Sequence, residues 1–292
     1  MDLDAFVTEV GTTGPVVPVG GRTQWDLGGP PAAGAREVRA PAGIVSLQPA
    51  EMIVRVRAGT TVASLDAALA EHGQMVPLDP RAPERATVGG VLAAGESGLR
   101  RLRYGPVRDT LLEARYVSAD GRLVKTGAPL VKNVTGFDLC RLLVGSLGTL
   151  GVLAEVVLRV YPRPAMSRWL MGTGDPFAIR RRLFRPSSVL WDGSVTWVLL
   201  EGHADDVAAE MATLGPGFVD VPGPPPLPPH RHSLRPGEVP GLAGAGPFVA
   251  EVGVGTVHRH EPAAPRPVSE LHEQVRRSFD PTGRLNPGRL VA

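Results

Sequence analysis

The sequence predicts an α+β protein in two parts, and three observations carry that prediction. Strand and helix patterns are mixed over the first half, with a hairpin among them. A strongly β-branched run, TLGVLAEVVLRVYPRP, ends at Pro162 and Pro164. Composition then shifts, first to short strands and helices and then to a stretch dominated by proline and glycine. The predicted parts are 1–164, a smaller 165–265 with a Pro-rich loop at about 214–241, and a returning C-terminal helix and tail, 266–292.

The elements follow in order. VVPV, residues 16 to 19, reads as a short strand running into a loop. MIVRVRAGTT alternates apolar residues with arginine, as a half-buried strand does. Thr61 caps the next helix, with Val62, Leu65 and Leu69 on one face and Gly73 at its exit. LLEARYVSADGRLVKTG reads as a hairpin turning at Asp120 and Gly121. SRWLMG and SVTWVLLEG read as strands, with helices around 176 to 184 and 204 to 213. Residues 214 to 241 read as one long extended loop, FVAEVGVGTVH as one strand and VSELHEQVRRSF as a helix.

Composition excludes several classes. The 292 residues are 43% hydrophobic and 21% charged, as in soluble globular proteins. A net charge of +2 makes no case for nucleic acid. The arginine clusters at 100, 101 and 103 and at 180, 181, 182 and 185 lack an aromatic stacking platform. A single cysteine, Cys140, permits neither an internal disulfide framework nor a thiolate metal site, and no metal is expected. With no signal-peptide core and no transmembrane segment, the expected location is cytoplasmic, peripheral to a membrane only through a complex. The rare Lys132 and Asn133 stand side by side just upstream of a glycine run.

Glycine-rich loops stand at three element ends: VGGRT (19–23), TVGGVLAAGESG (87–98) and GSLGTLG (145–151). Successive backbone N–H groups in such loops bind anions, phosphate above all. None fits the dinucleotide-binding G-x-G-x-x-G fingerprint or the P-loop. Together they point to a long ligand with phosphates in its middle.

VPVGGRT, TVGGVLAAGESGLRRLRYGPVRD, VKNVTGFDLCRLLVGSLGTLGVLAEVVLRV and the closing FDPTGRLNPGRL resemble the FAD-linked oxidases, flavoproteins with a vanillyl-alcohol-oxidase (PCMH-type) FAD domain. Within that family the chain looks most like the FAD-binding E subunit of bacterial glycolate oxidase. The resemblance implies a two-subdomain PCMH-type FAD-binding domain with a small, reduced second α+β domain. It implies that Val19, Gly20, Gly21, Arg22 and Thr23 hold the pyrophosphate. Thr87, Val88, Gly89, Gly90, Ala94, Ser97 and Gly98 would lie along phosphates and flavin, supported by Arg103, Tyr104, Gly105 and Asp109. Gly148, Thr149, Gly151 and Val152 would cover the adenine–ribityl side, and Lys132 would reach the flavin or the substrate carboxylate.

Two positions depart from the pattern. Arg22 stands where the family often has a third glycine, which demands an acceptable φ without one. Glu96 brings a carboxylate close to phosphates or flavin. Some relatives attach FAD through a histidine in the first loop; none is present here, so non-covalent FAD is expected.

Oxidising a small 2-hydroxy acid requires a base for the hydroxyl proton and a cation for the carboxylate. His258, Arg259 and His260, after the strand EVGVGTV, are the candidates. The reduced second domain implies dependence on partners, which the resemblance makes a larger FAD subunit and an iron–sulfur subunit. The expected function is that of an FAD-binding subunit of a glycolate-type oxidase or dehydrogenase complex, passing electrons from substrate through flavin to a partner. The alternatives are a stand-alone FAD-dependent alcohol oxidase and a non-catalytic scaffold that keeps the fold.

Overall fold

A computed structural model describes residues 2–129, 138–264 and 267–289. The chain divides into two compact units: Met1–Gly98 with Pro106–Arg163 and Arg266–Ala292, and Leu99–Gly105 with Pro164–Pro265.

The first unit opens with α1 (Leu3–Val10), capped by Asp2, whose carboxylate accepts from the Ala5 amide at 2.8 Å. Leu3, Phe6 and Val10 repeat at helical spacing and are buried. β1 (Val16–Pro18) and β2 (Arg36–Val38) form a parallel pair. β3 (Ile44–Gln48) and β4 (Ile53–Arg57) begin the main sheet, and α2 (Val62–Ala70) follows. Thr61 caps α2 by accepting from Ser64 N, a contact worth about 1 kcal/mol. Leu65 and Leu69 are fully buried beneath it, each contributing roughly 1.5–3 kcal/mol. After β5 (Gln74–Met75) comes α3 (Val88–Ala94), then the chain visits the second unit through α4 (Arg101–Tyr104).

The hairpin is β6 (Leu111–Val117) with β7 (Leu123–Gly127), followed by α5 (Leu139–Leu143), β8 (Val152–Arg159) and β9 (Tyr161–Pro162). The main sheet is antiparallel in the order β3-β4-β8-β6-β7, and β5 pairs with β9. Val54, Val56, Val156 and Leu158 face the core. Because side chains alternate along a strand, Arg55, Arg57, Glu113 and Glu155 share the opposite face. There the two carboxylates are buried beneath cations: Arg55 lies 2.7 Å from Glu113 and 3.0 Å from Glu155, and Arg57 and Lys125 complete the ladder. Cys140 is buried, and that burial pushes its thiol up to about 11, so it stays protonated and unreactive at neutral pH.

The second unit runs β10 (Met166–Gly172), α6 (Pro176–Arg182), β11 (Ser188–Trp191), β12 (Thr196–Gly202), α7 (Ala204–Leu214), β13 (Val219–Val221), β14 (His230–Ser233), β15 (Val249–Glu251) and β16 (Thr256–Arg259). Its antiparallel sheet has the order β13-β10-β12-β11-β15-β16-β14. Leu170, Val198, Leu200, Ala250 and Val257 pack with Ile179 of α6 and Val207 of α7. The chain returns to the first unit with α8 (Glu270–Phe279). Its tail pairs with β1, through a Val16–Leu285 bridge and the Asn286 amide on the Val16 carbonyl at 2.7 Å.

Three readings of the sequence need correction. The second glycine-rich loop is largely the helix α3, capped by Thr87, because its Val, Leu and Ala residues supply propensity that two glycines do not cancel. Gly89 is there for contact: a Cβ would lie 2.8 Å from the Ala58 methyl. The proline-rich loop contains β13, β14 and a 3₁₀ turn at Pro236–Leu242, since its short segments become edge strands of a sheet supplied from elsewhere. FVAEVGVGTVH is two strands, β15 and β16, turning where Gly253 and Gly255 have φ of 86° and 88°.

Candidate functional site

The glycine-rich segments meet on one groove of the first unit. Its lining includes Val19, Gly20, Gly21, Arg22 and Thr23 from the first loop, with Thr87, Gly89, Gly90 and Ala94 from α3 and its cap. Gly148, Gly151 and Val152 come from the third segment. Gly21 shows why the first loop needs glycine: a Cβ there would stand 1.7 Å from the Arg85 carbonyl oxygen. Arg39 and Arg85 donate to the carbonyls of Gly20 and Gly21 at 3.2 and 3.3 Å. Among the described residues, the amides of Gly20 to Thr23 have no acceptor, so the loop offers a row of donors.

Strain concentrates here. The described non-glycine residues with positive φ are Arg22, Met52, Asp79, Leu147 and Asn286; three of them, Arg22, Leu147 and Asn286, line the groove. Left-handed backbone costs roughly 1–2 kcal/mol per residue outside glycine, and such strain collects at binding sites. Arg22, at φ 56°, does not extend a free guanidinium toward the groove. It pairs with Glu37 and stacks over Trp25 at 4.6 Å.

Other expected contacts lie outside the lining. Val88 is fully buried in the core. Ser97 accepts from the Val107 amide at 2.9 Å, and Gly98 packs against Asp79. Thr149 donates to the Ser146 carbonyl at 2.8 Å, and Asp109 pairs with Arg141 at 3.3 Å. Arg103, Tyr104 and Gly105 belong to the second unit, where Arg103 donates to the Glu201 carbonyl. Lys132 lies outside the described residues.

The lining also takes in residues that sequence reasoning did not assign to it, Trp25, Asn286 and Arg289 among them. Arg289 donates to the Trp25 and Leu27 carbonyls at 2.6 and 3.0 Å, tying the C-terminal segment over the first loop. The available signal was the rarity of asparagine, which occurs at 133 and 286 alone.

In the second unit, β16 separates the three catalytic candidates. His258 is buried, with Nε2 3.1 Å from Glu251, and Arg231 lies 3.8 Å from the same carboxylate oxygen. Arg259, the next residue, is on the opposite face of the strand, and His260 is exposed beyond its end. A histidine held by a carboxylate has its tautomer and ring orientation set, as a proton acceptor requires.

The groove suits a dinucleotide: a row of amides for phosphates, glycines that let backbone approach a flat ligand, and a buried acceptor at Asn286. Comparison with known proteins agrees. Residues 2–127 match the family described as FAD binding domain. The chain is 36% identical over 209 residues to the glycolate oxidase subunit GlcE of Escherichia coli (strain K12), covering 69% of this chain and 60% of that one. It is 43% identical over 106 residues to D-lactate dehydrogenase of Archaeoglobus fulgidus, covering 36% and 24% of the two chains. To the glycolate oxidase subunit GlcD of Bacillus subtilis it is 34% identical over 128 residues, 44% of this chain and 27% of that one. The chain thus spans less than two thirds of the length of these relatives. A solved alkyldihydroxyacetonephosphate synthase shares the fold, with a TM-score of 0.71 at 14% identity, covering 96% of this chain and 72% of that one. The α+β fold, the groove and the match of residues 2–127 identify an FAD-binding domain in this chain, with FAD as its cofactor.

Proposed function

We propose that this chain is the FAD-binding subunit of a 2-hydroxy-acid oxidase or dehydrogenase of glycolate type. The observation that carries the reading is the single groove on which three glycine-rich segments converge, in a chain 36% identical to GlcE. Bound FAD supplies a two-electron acceptor for the hydride of the hydroxyl-bearing carbon. The residues of the chain bind and orient it: the Gly20–Thr23 amides on the pyrophosphate, and the lining glycines on its flat parts. Binding is non-covalent, a reading supported by a described lining that includes no histidine or cysteine.

His258, oriented by Glu251, is the proposed acceptor of the substrate hydroxyl proton, and an arginine of the second unit the partner of its carboxylate. Arg231, opposite His258 across β14 and β16, and Arg259, the next residue in β16, are the arginines of these two strands. Electrons pass to partner chains: a larger FAD subunit, as the GlcD similarity suggests, and an iron–sulfur subunit. One cysteine cannot ligate such a cluster, so that centre belongs to another chain. Among the described residues no helix is long and apolar enough to cross a membrane, and the proposed setting is cytoplasmic, at a membrane only through the complex.

The test is the visible spectrum of the purified chain before and after anaerobic addition of glycolate or lactate, alone and with co-purifying partners. A flavin released by denaturation and bleached by substrate, in the chain or in its complex, is the expected result. A chain that takes up no flavin even after incubation with FAD would leave only the scaffold reading.

A further inference from the structure

The amide of Asn286 is half satisfied. Its Nδ2 donates to the Leu147 carbonyl at 2.6 Å, and that acceptor decides which end of the amide is nitrogen. The other end, Oδ1, is buried with no hydrogen-bond partner, in a residue 5% exposed that lines the groove. Leaving a buried carbonyl oxygen unpaired is unfavourable. The backbone adds to that: Asn286 and Leu147, the two ends of this one bond, have φ of 45° and 53°. The position is nonetheless held firmly, by the Asn286 amide on the Val16 carbonyl and by Arg289 on the Trp25 and Leu27 carbonyls. An acceptor kept in place at such cost, on a groove wall, calls for a donor from the ligand.

We propose that Asn286 is a cofactor-binding residue whose Oδ1 accepts a hydrogen bond from a hydroxyl, amino or imide group of the bound dinucleotide. The inference rests on the reading of the groove as the FAD site. The pyrophosphate cannot be its partner, because a phosphodiester oxygen at neutral pH has no proton to donate. The donor therefore belongs to the ribitol, ribose, adenine or flavin imide. The C-terminal segment then acts with the first loop to recognise the organic part of the cofactor, while the loop amides take its charge.

Two variants separate this role from a structural one. Asn286→Gly removes the side chain and relieves the left-handed backbone, and Asn286→Asp keeps acceptor oxygens while losing the donor to Leu147. FAD dissociation constants are measured by flavin fluorescence on the full chain. The expected result is FAD binding about tenfold or more weaker in N286G, with most of that loss recovered in N286D. Equal losses in both variants would overturn the proposal and leave Asn286 as a structural tie to Leu147; wild-type affinity in both would also overturn it. Titration with ADP and FMN locates the donor: a loss shared with ADP puts it on the adenosine half, and one shared with FMN puts it on the ribityl–flavin half. Failure of the wild-type chain to bind FAD would instead sink the reading of the groove itself.

Discussion

Arg22 shows how one residue can be legible in a sequence and its consequence not. The sequence flags it as standing where the family pattern has glycine, and the structure gives it a positive φ of 56°. Its guanidinium, which invites pairing with a phosphate, is engaged by Glu37 and Trp25 instead. Replacing it with glycine relieves roughly 1–2 kcal/mol of backbone strain. The same change removes an exposed ion pair and a cation–π contact, together about 1 kcal/mol. We therefore expect Arg22→Gly to leave thermal stability close to wild type and FAD affinity unchanged. A large, salt-dependent loss of affinity would mean that the arginine leaves Glu37 for a phosphate when cofactor binds.

At the scale of elements, the outer face of the main sheet carries a buried ion ladder that alternation alone predicts only in part. MIVRVR places Arg55 and Arg57 on one face, but the sequence does not reveal that Glu113 and Glu155 lie beneath them from two other strands. Burial alone would raise the Glu113 carboxyl; hydrogen bonds from Arg55 and Lys125 outweigh it and hold the group below its usual range. Its contribution is therefore present above the ordinary carboxylate range and lost as pH falls through the lowered value. Glu113→Gln should destabilise the chain by about 1–3 kcal/mol at neutral pH. Denaturant unfolding at decreasing pH should show wild type and variant converging; a constant gap would assign the effect to packing.

The same scale shows what was readable. α2 and the β6–β7 hairpin were visible because their signals, a cap with spaced leucines and an Asp-Gly turn, are local. α1 had a comparable signal in Asp2 and the Leu3, Phe6, Val10 spacing, which the sequence reading left unused. β13 and β14 were not readable, since three- and four-residue segments in a proline-rich stretch become strands only when a neighbour offers its edge.

For the molecule as a whole, each unit assembles its own chemistry from distant positions. The second unit brings Glu251 and His258, seven residues apart, together across the β15–β16 turn and sets Arg231 beside them. If His258 is the proton acceptor, His258→Gln should lower kcat about 10²- to 10⁴-fold, with a smaller change in KM. Glu251→Gln, acting through the histidine, should cost less and displace the pH profile of kcat. Turnover of 2-hydroxy acids by the co-purified complex reads both; full activity in His258→Gln would move the base to another residue. The first unit joins its ends, Arg284 donating to the Val10 and Gly14 carbonyls while Asn286 and Arg289 reach the groove.

The sequence by itself determined the α+β class, the three glycine-rich segments and the family they resemble, because each is carried by contiguous residues with local physical signatures. Only the tertiary structure decided which of those residues line the groove. Val88, Ser97 and Thr149 sit within the glycine motifs yet turn to the core or to neighbouring backbone. Trp25 and Asn286, more than 250 residues apart, share the groove wall. Facing is set by packing and by where a returning segment can satisfy its hydrogen bonds, and neither is encoded within a single motif.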